Sequence, residues 1–334
     1  MLKMLSRARG LLKPQVVLPV LLAGALLVFA FKLGNLHQVM SRLNRLSLTV
    51  LGIALASAAC YLGCKALQLK LMLTRIGVPM PARPFWLAFA VGELTVTLPL
   101  GLFSQNWVMS ASRRVDVGRS SAATVMMLLA EIAAVFLFLA VVGIPGWGQL
   151  RFAAVGALAF FVALVCGLLL FEHKARQLVS HIRHPRAKQV ADAGLELLGG
   201  LRRLSTAPVL TISLILAAIY LGSLTFAFWF VGRGMAVHDL HYLTASRIYL
   251  FALAVILVGG GLFSQIGTVD VLGMMAARAC GIGYTDGLAM MLGFRIVWTG
   301  SVWLLCLPIV GMMWRAIPRH GHRPSGDGGE KPSD

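Results

Sequence analysis

Glu131 and Arg295 are lone charges, each inside an otherwise uncharged hydrophobic run, residues 120–143 and 287–314. An ionised side chain at mid-bilayer costs about 2.5–3.5 kcal/mol even on the lenient insertion scale, so each needs a partner, a cavity or a pathway. Both follow a Met-Met-Leu triplet by three residues: Met126-Met127-Leu128 precedes Glu131, and Met290-Met291-Leu292 precedes Arg295. The matched spacing predicts that they pair. Two roles are open to such a pair. It could fix how two parts of the protein dock, or it could be a site where Arg295 takes a lipid phosphate when Glu131 releases it.

A second set of polar residues sits at chain breaks. Ser104-Gln105 and Ser264-Gln265 each close the pentapeptide Gly-Leu-Phe-Ser-Gln, at residues 101–105 and 261–265. Gln has two donors and an acceptor and Ser has one donor, enough either to hold a lipid head group or to satisfy backbone freed at a break. Arg113, Arg114 and Arg119 follow the first break. Arg278 follows the second, on the same segment as Asp270. These arginines read as topology markers that contact anionic lipid, or as residues that gather phosphate at either leaflet. Glu93 is a further acid in apolar sequence, read as a hydrogen-bonded structural group or a proton-coupled carboxylate. Enzymatic signatures are missing: there is no Gly-x-Ser-x-Gly elbow, His-Glu-x-x-His, phosphate-binding Walker loop or Asp-x-Asp pair. No catalytic, metal or cofactor site is expected, and the chain is not read as an enzyme.

The elements that position these residues are hydrophobic runs. Charged residues make up only 13% of the 334 residues and hydrophobic ones 58%, well outside the composition of soluble domains. Runs at 15–31, 47–64, 120–143, 152–171, 208–232 and 287–314 meet or approach the roughly 20 residues needed to cross a bilayer. The net charge of +18 lies between the runs, as the positive-inside bias requires, and nothing resembles a nucleic-acid groove. The basic N-terminus, residues 1–14, lacks a small-residue cleavage site beyond Phe31, which predicts a retained first helix. Four of the five cysteines, Cys60, Cys64, Cys166 and Cys306, lie in apolar runs and read as buried small hydrophobes.

The chain also repeats itself. Ala58-Ala59-Cys60-Tyr61-Leu62-Gly63 recurs about 160 residues later as Ala217-Ala218-Ile219-Tyr220-Leu221-Gly222, and the pentapeptide and the Met-Met-Leu follow in the same order. Repeat 1 spans about 47–143 and repeat 2 about 208–314, joined by a basic linker at 173–207. A polar tail, 316–334, is read as disordered. With the N-terminus in the cytoplasm, charge counting places Lys65, Lys70, Arg75, Arg83 and the linker inside. Segment 84–112, with Pro84, Gly92, Pro99 and Gly101, must then enter and leave on one side. Segment 247–283, broken at Gly259-Gly260-Gly261, does the same from the other side. The predicted fold is an all-α polytopic membrane protein, an inverted-topology repeat of about six crossing helices plus two re-entrant helical hairpins in one domain, 15–315. Both termini are expected in the cytoplasm of a bacterium with the domain in its inner membrane. The loop 32–46, basic yet outside, is expected to be an amphipathic helix on the outer leaflet.

This pattern resembles the flippase-like transmembrane domain of lysylphosphatidylglycerol synthases, over roughly residues 15–315. The first family motif, a Pro and Gly at a membrane break, an Arg beyond and a helix with an acid, falls on Pro99, Gly101, Arg113 or Arg114, and Glu131. The second, a Gly-rich break, a Gly-x-x-Glu and a helix with an Arg, falls on Gly259-Gly260-Gly261, Gly267-Thr268-Val269-Asp270 and Arg295. This chain has Asp270 where the family has Glu, no Pro at the second break, and Ile132 where an Arg follows the acid. The soluble transferase domain has no counterpart. The resemblance implies translocation of an anionic or isoprenoid-linked lipid between leaflets, with membrane lipids as partners. The alternative is a non-catalytic scaffold for a glycosyltransferase or lipid-modifying enzyme. The candidate substrate-binding residues are therefore Ser104, Gln105, Arg113, Arg114, Glu131, Ser264, Gln265, Asp270, Arg278 and Arg295.

Overall fold

The computed structural model describes residues 36–44, 46–98, 101–113, 117–142, 184–235, 237, 240–258 and 265–314, with isolated positions within 155–179. Those residues form helices and no strand. In chain order they are α1 (Leu36–Leu43), α2 (Leu48–Arg75), α3 (Ala82–Thr95), a 3-10 turn (Gly101–Phe103), α4 (Ser104–Arg113), α5 (Val117–Val142), α6 (Pro185–Leu204), α7 (Ala207–Gly234), α8 (Tyr242–Val258), α9 (Gln265–Ala279) and α10 (Tyr284–Trp314).

Four helices, Leu48–Arg75, Val117–Val142, Ala207–Gly234 and Tyr284–Met313, are long and apolar enough to cross a membrane. They keep large apolar side chains outside, among them Ile215, Leu304 and Leu307, as lipid-facing surfaces do. The expected runs 15–31 and 152–171 lie outside the described residues apart from isolated helical positions in the latter.

Local chemistry sets the helix ends. The Ser47 hydroxyl accepts the Val50 N–H and caps α2. Gly77, at φ 76°, ends it with the Val78 N–H donating to the Leu73 carbonyl. Arg119 at the start of α5 donates to the Ile76 carbonyl at 3.0 Å, tying those two ends together. At the opposite end Arg247 donates to the Val142 carbonyl, and Arg42 pairs with Asp286 at the start of α10.

The described helices follow a similar order in the two halves of the sequence. A long helix, two short ones and a long one occur twice, with 28, 14, 10 and 26 residues in α2–α5 and 28, 17, 15 and 31 in α7–α10. The packing partners also exchange between halves. α3 lies on α10 and α8 on α5, α3 packs on α4 and α8 on α9, and α2 packs on α7 at the centre. There the repeated tyrosines Tyr61 and Tyr220 meet edge-on, ring centroids 5.4 Å apart.

Glycine notches draw α10 in. A Cβ at Gly273 would collide with the Met291 thioether, and one at Gly293 with that of Met235, so each sulfur occupies the space a side chain would need.

The structure departs from expectation at two places. α2 does not stop at Lys65 but runs to Arg75, so Lys65 is only 2% exposed inside the bundle rather than in a cytoplasmic loop. Cys306 is buried as expected, yet Cys60 and Cys166 are exposed. On α2, Cys60 falls on the outward face while neighbouring Tyr61 points to the centre. The linker holds a 20-residue helix, α6, packed on α5 with Gly200 against Ala122. The expected helix in 32–46 is present as α1, which packs on α10.

Candidate functional site

One cavity of about 140 Å³ lies between the halves, and among the described residues five acidic or basic side chains line it: Lys65, Glu93, Glu131, Asp270 and Arg295. They come from α2, α3, α5, α9 and α10. All but Arg295 are buried, which is costly for charges unless they are paired.

Two ion pairs meet most of that demand. The Lys65 ammonium stands 3.1 Å from Glu93 Oε1 and donates to the Tyr61 hydroxyl at 2.9 Å. Both members of this pair are nearly inaccessible, at 3% and 2% side-chain exposure. Arg295 Nε donates to Asp270 Oδ1 at 2.9 Å, with Asp270 1% and Arg295 21% exposed. The other Asp270 oxygen accepts the Gly267 N–H at 3.1 Å, and Gly267 has φ 84°. The Gly-x-x-Asp spacing thus has a local cause. A left-handed residue turns its amide toward the carboxylate three residues on, as in a capping box, and the carboxylate is thereby fixed to receive the arginine.

Arg295 is therefore partnered by Asp270 and not, as its spacing predicts, by Glu131. Repeat register placed both residues on the same cavity, but the acid supplied by the neighbouring short helix stands nearer to the guanidinium. Glu131 is 8% exposed on the cavity wall, with Lys65 and Glu93 as its charged neighbours. Among the described residues it has no cation within ion-pair distance. The hydroxyl of Tyr220, fully buried, is turned toward it as its hydrogen-bonding neighbour.

The repeat explains where the charges fall. In the register of the tyrosines, Leu224 stands in the second half where Lys65 stands in the first. In the register of the pentapeptides, Leu253 stands where Glu93 stands. Both leucines line the same cavity, as do the matched Glu131 and Arg295. Equivalent positions of the halves thus converge on one space and carry different chemistry.

The walls are otherwise apolar and aromatic, with the Phe294 ring in contact with both Tyr249 and Trp298. The cavity reaches the outer surface beside Leu98 and Trp303, which are 54% and 49% exposed. Trp303 lies on α10, one of the four helices long and apolar enough to cross a membrane, so this side of the cavity adjoins an apolar surface.

The break residues play a different part. Gln105 does not line the cavity. It is 1% exposed, donates to the Thr124 hydroxyl at 2.9 Å and packs against Gly92, joining the first short-helix pair to α5. Ser104 bonds the Thr95 hydroxyl at 2.7 Å, and Thr95 also donates to the Gly101 carbonyl. Both side chains thus bond other side chains within the fold, and it is Thr95 that reaches the backbone at the break. Gly101, Leu102 and Phe103 do line the cavity, and a Cβ on Gly101 would fall on the Thr95 carbonyl oxygen. Ser264 and Arg114 lie outside the described residues, and Gln265 and Arg113 are described only as helix ends. Arg278 is exposed with its guanidinium over the Tyr284 ring, away from the cavity.

Lys65 is the site residue that sequence reading missed, because it was taken as the edge of a hydrophobic run. One signal could have found it: the apolar pattern resumes beyond it, and Lys65 lies one helical turn from the repeated Tyr61. Compared with known proteins, the chain matches no family model and no curated protein.

Proposed function

We propose that this protein moves the polar head group of an anionic or isoprenoid-linked lipid between the leaflets of a bacterial inner membrane. The observation that carries the reading is a charged cavity, built from both repeats, whose mouth adjoins an apolar surface. A head group cannot pass through hydrocarbon unaided, since desolvating its charge costs many kcal/mol. A cavity of about 140 Å³ has room for a head group and a few waters but not for acyl or prenyl tails, which would stay in lipid through the lateral mouth. Gly101, Glu131, Asp270 and Arg295, four of the described residues at the family motif positions, line it, which supports the resemblance to flippase-like domains.

The same reading takes the two short-helix pairs, α3–α4 and α8–α9, as re-entrant hairpins opening to opposite sides. Two observations support this. Each of these helices is shorter than the four long apolar ones; α3–α4 connects the ends of α2 and α5 that Arg119 ties together, and α8–α9 connects the end of α7, where Gly234 meets Leu46 and Val50, to the start of α10, where Asp286 pairs with Arg42. The exchanged packing partners and the Tyr61–Tyr220 contact support a pseudo-two-fold axis in the membrane plane. Cytoplasmic termini follow from the charge count.

The test is leaflet exchange of head-labelled lipids in proteoliposomes, read by an impermeant quencher against empty vesicles. Exchange faster than in empty vesicles for an anionic or isoprenoid lipid is expected. Exchange no faster for every lipid tried refutes translocation and leaves the scaffold reading.

A further inference from the structure

Among the described residues the cavity holds two cations and three carboxylates, so with all five ionised these carry one excess negative charge. Lys65 is committed to Glu93 and Tyr61, and Arg295 to Asp270, which leaves Glu131 as the uncompensated group. An anionic head group entering this space would add a second uncompensated charge where little water screens it, which the low local dielectric opposes. Adding one proton to the cavity cancels that addition.

We propose that Glu131 takes up one proton as an anionic head group enters the cavity and releases it as the head group leaves, so that lipid and proton cross together. This rests on the translocation reading. The step is a simple protonation. Water on the loading side supplies the proton, an O–H bond forms on the Glu131 carboxylate, and the bond breaks to water on the unloading side with no redox change. A monoanion with its proton is neutral, so the loaded cavity keeps the charge of the empty one and the crossing is electroneutral.

The surroundings suit this role. Facing Glu131 or lining the cavity with it are Tyr61 and Lys65 from α2, Glu93 from α3, Tyr220 from α7, Tyr249 from α8, Asp270 from α9 and Arg295 from α10. α6 packs on α5 with Gly200 against Ala122, nine residues before Glu131 and about 13 Å away along the helix, so its charged residues act at a different level. The buried Tyr220 hydroxyl beside Glu131 can donate to the carboxylate or accept from the protonated acid, so it serves either protonation state.

The experiment uses the full chain in proteoliposomes with a head-labelled monoanionic phosphatidylethanolamine, equal pH on both sides and the membrane potential clamped at zero. Exchange by the wild type should fall as pH rises, by up to about tenfold per unit, as a one-proton requirement dictates. Imposing a potential should leave the rate unchanged. Glu131→Gln, neutral at every pH and equal in size, should exchange at the wild-type acid-limb rate with no pH dependence. Tyr220→Phe should keep exchange but shift the pH profile. A flat wild-type profile, an unshifted profile in Glu131→Gln, or a folded Glu131→Gln inactive at all pH overturns the coupling while translocation stands. No wild-type exchange with any lipid overturns the translocation reading and the coupling with it. Independently of transport, moving the wild type from phosphatidylcholine to phosphatidylglycerol nanodiscs should raise the infrared band of a protonated carboxyl group, and its absence also overturns the proposal.

Discussion

Separating Asp270 from Arg295 tests the site where structure and sequence spacing disagree. In Asp270→Asn the Gly267 N–H keeps an oxygen acceptor, so the change isolates the lost charge. Removing one partner of a buried pair costs about 3–5 kcal/mol because the other is left uncompensated. Arg295 is 21% exposed to the cavity and can be partly hydrated, which puts Asp270→Asn at the low end, about 3 kcal/mol. Arg295→Gln strands Asp270, 1% exposed, and belongs at the high end, about 5 kcal/mol. The double mutant removes both charges and should lose less than the two singles together, with a coupling of about 2 kcal/mol. Glu131→Gln combined with Arg295→Gln should be additive within about 0.5 kcal/mol, because those residues are not in contact. Reversible unfolding by dodecyl sulfate in mixed micelles gives the four free energies of each cycle. Additivity in the Asp270–Arg295 cycle together with coupling in the Glu131–Arg295 cycle would refute the assignment.

Lys65→Met should cost about 3–5 kcal/mol by stranding Glu93, and adding Glu93→Gln should restore much of the thermal midpoint in detergent. Gly101→Ala drives a methyl into the Thr95 carbonyl, and a loss of about 3 kcal/mol or more should appear as reduced monodisperse yield on size exclusion. Gln105→Ala should cost about 1–2 kcal/mol through the lost bond to Thr124, yet leave lipid exchange per folded molecule at the wild-type rate. In a cysteine-free background, single cysteines at 70, 114, 186 and 319 should resist an impermeant outer thiol reagent while one at 239 reacts. Outside labelling at 114 would turn the first short-helix pair into a true crossing.

Much of the framework was legible because it follows from hydrophobic length and repetition. The runs at 47–64, 120–143, 208–232 and 287–314 became α2, α5, α7 and α10, and the broken segments became pairs of short helices. The site was legible by position but not by partner. Glu131 and Arg295 share a cavity as the repeat requires, but the choice between Asp270 and Glu131 depends on a few ångströms of helix rotation that spacing does not encode. Lys65 was misplaced for a related reason, since a charge at the end of an apolar run looks like a boundary until a buried acid such as Glu93 is known to face it. Gln105 shows the reverse case. Its side chain could serve a ligand or the fold equally well, and only the approach of Thr124 decides.

The glycine notches along α10 set how that helix is able to travel. It meets α9 through Met291 in the notch of Gly273, and meets α7 where its own Gly293 receives Met235. An unbranched thioether with three rotatable bonds can follow a shifting groove where a branched side chain would jam, so these contacts act as bearings. α10 carries Arg295 on one face and Trp303 at the mouth, so a small slide along its axis would move the cation and the doorway together. The same fit makes the joint vulnerable to oxidants. A sulfoxide oxygen on Met291 or Met235 would need room that even a single methyl group lacks, and would wedge the helices apart.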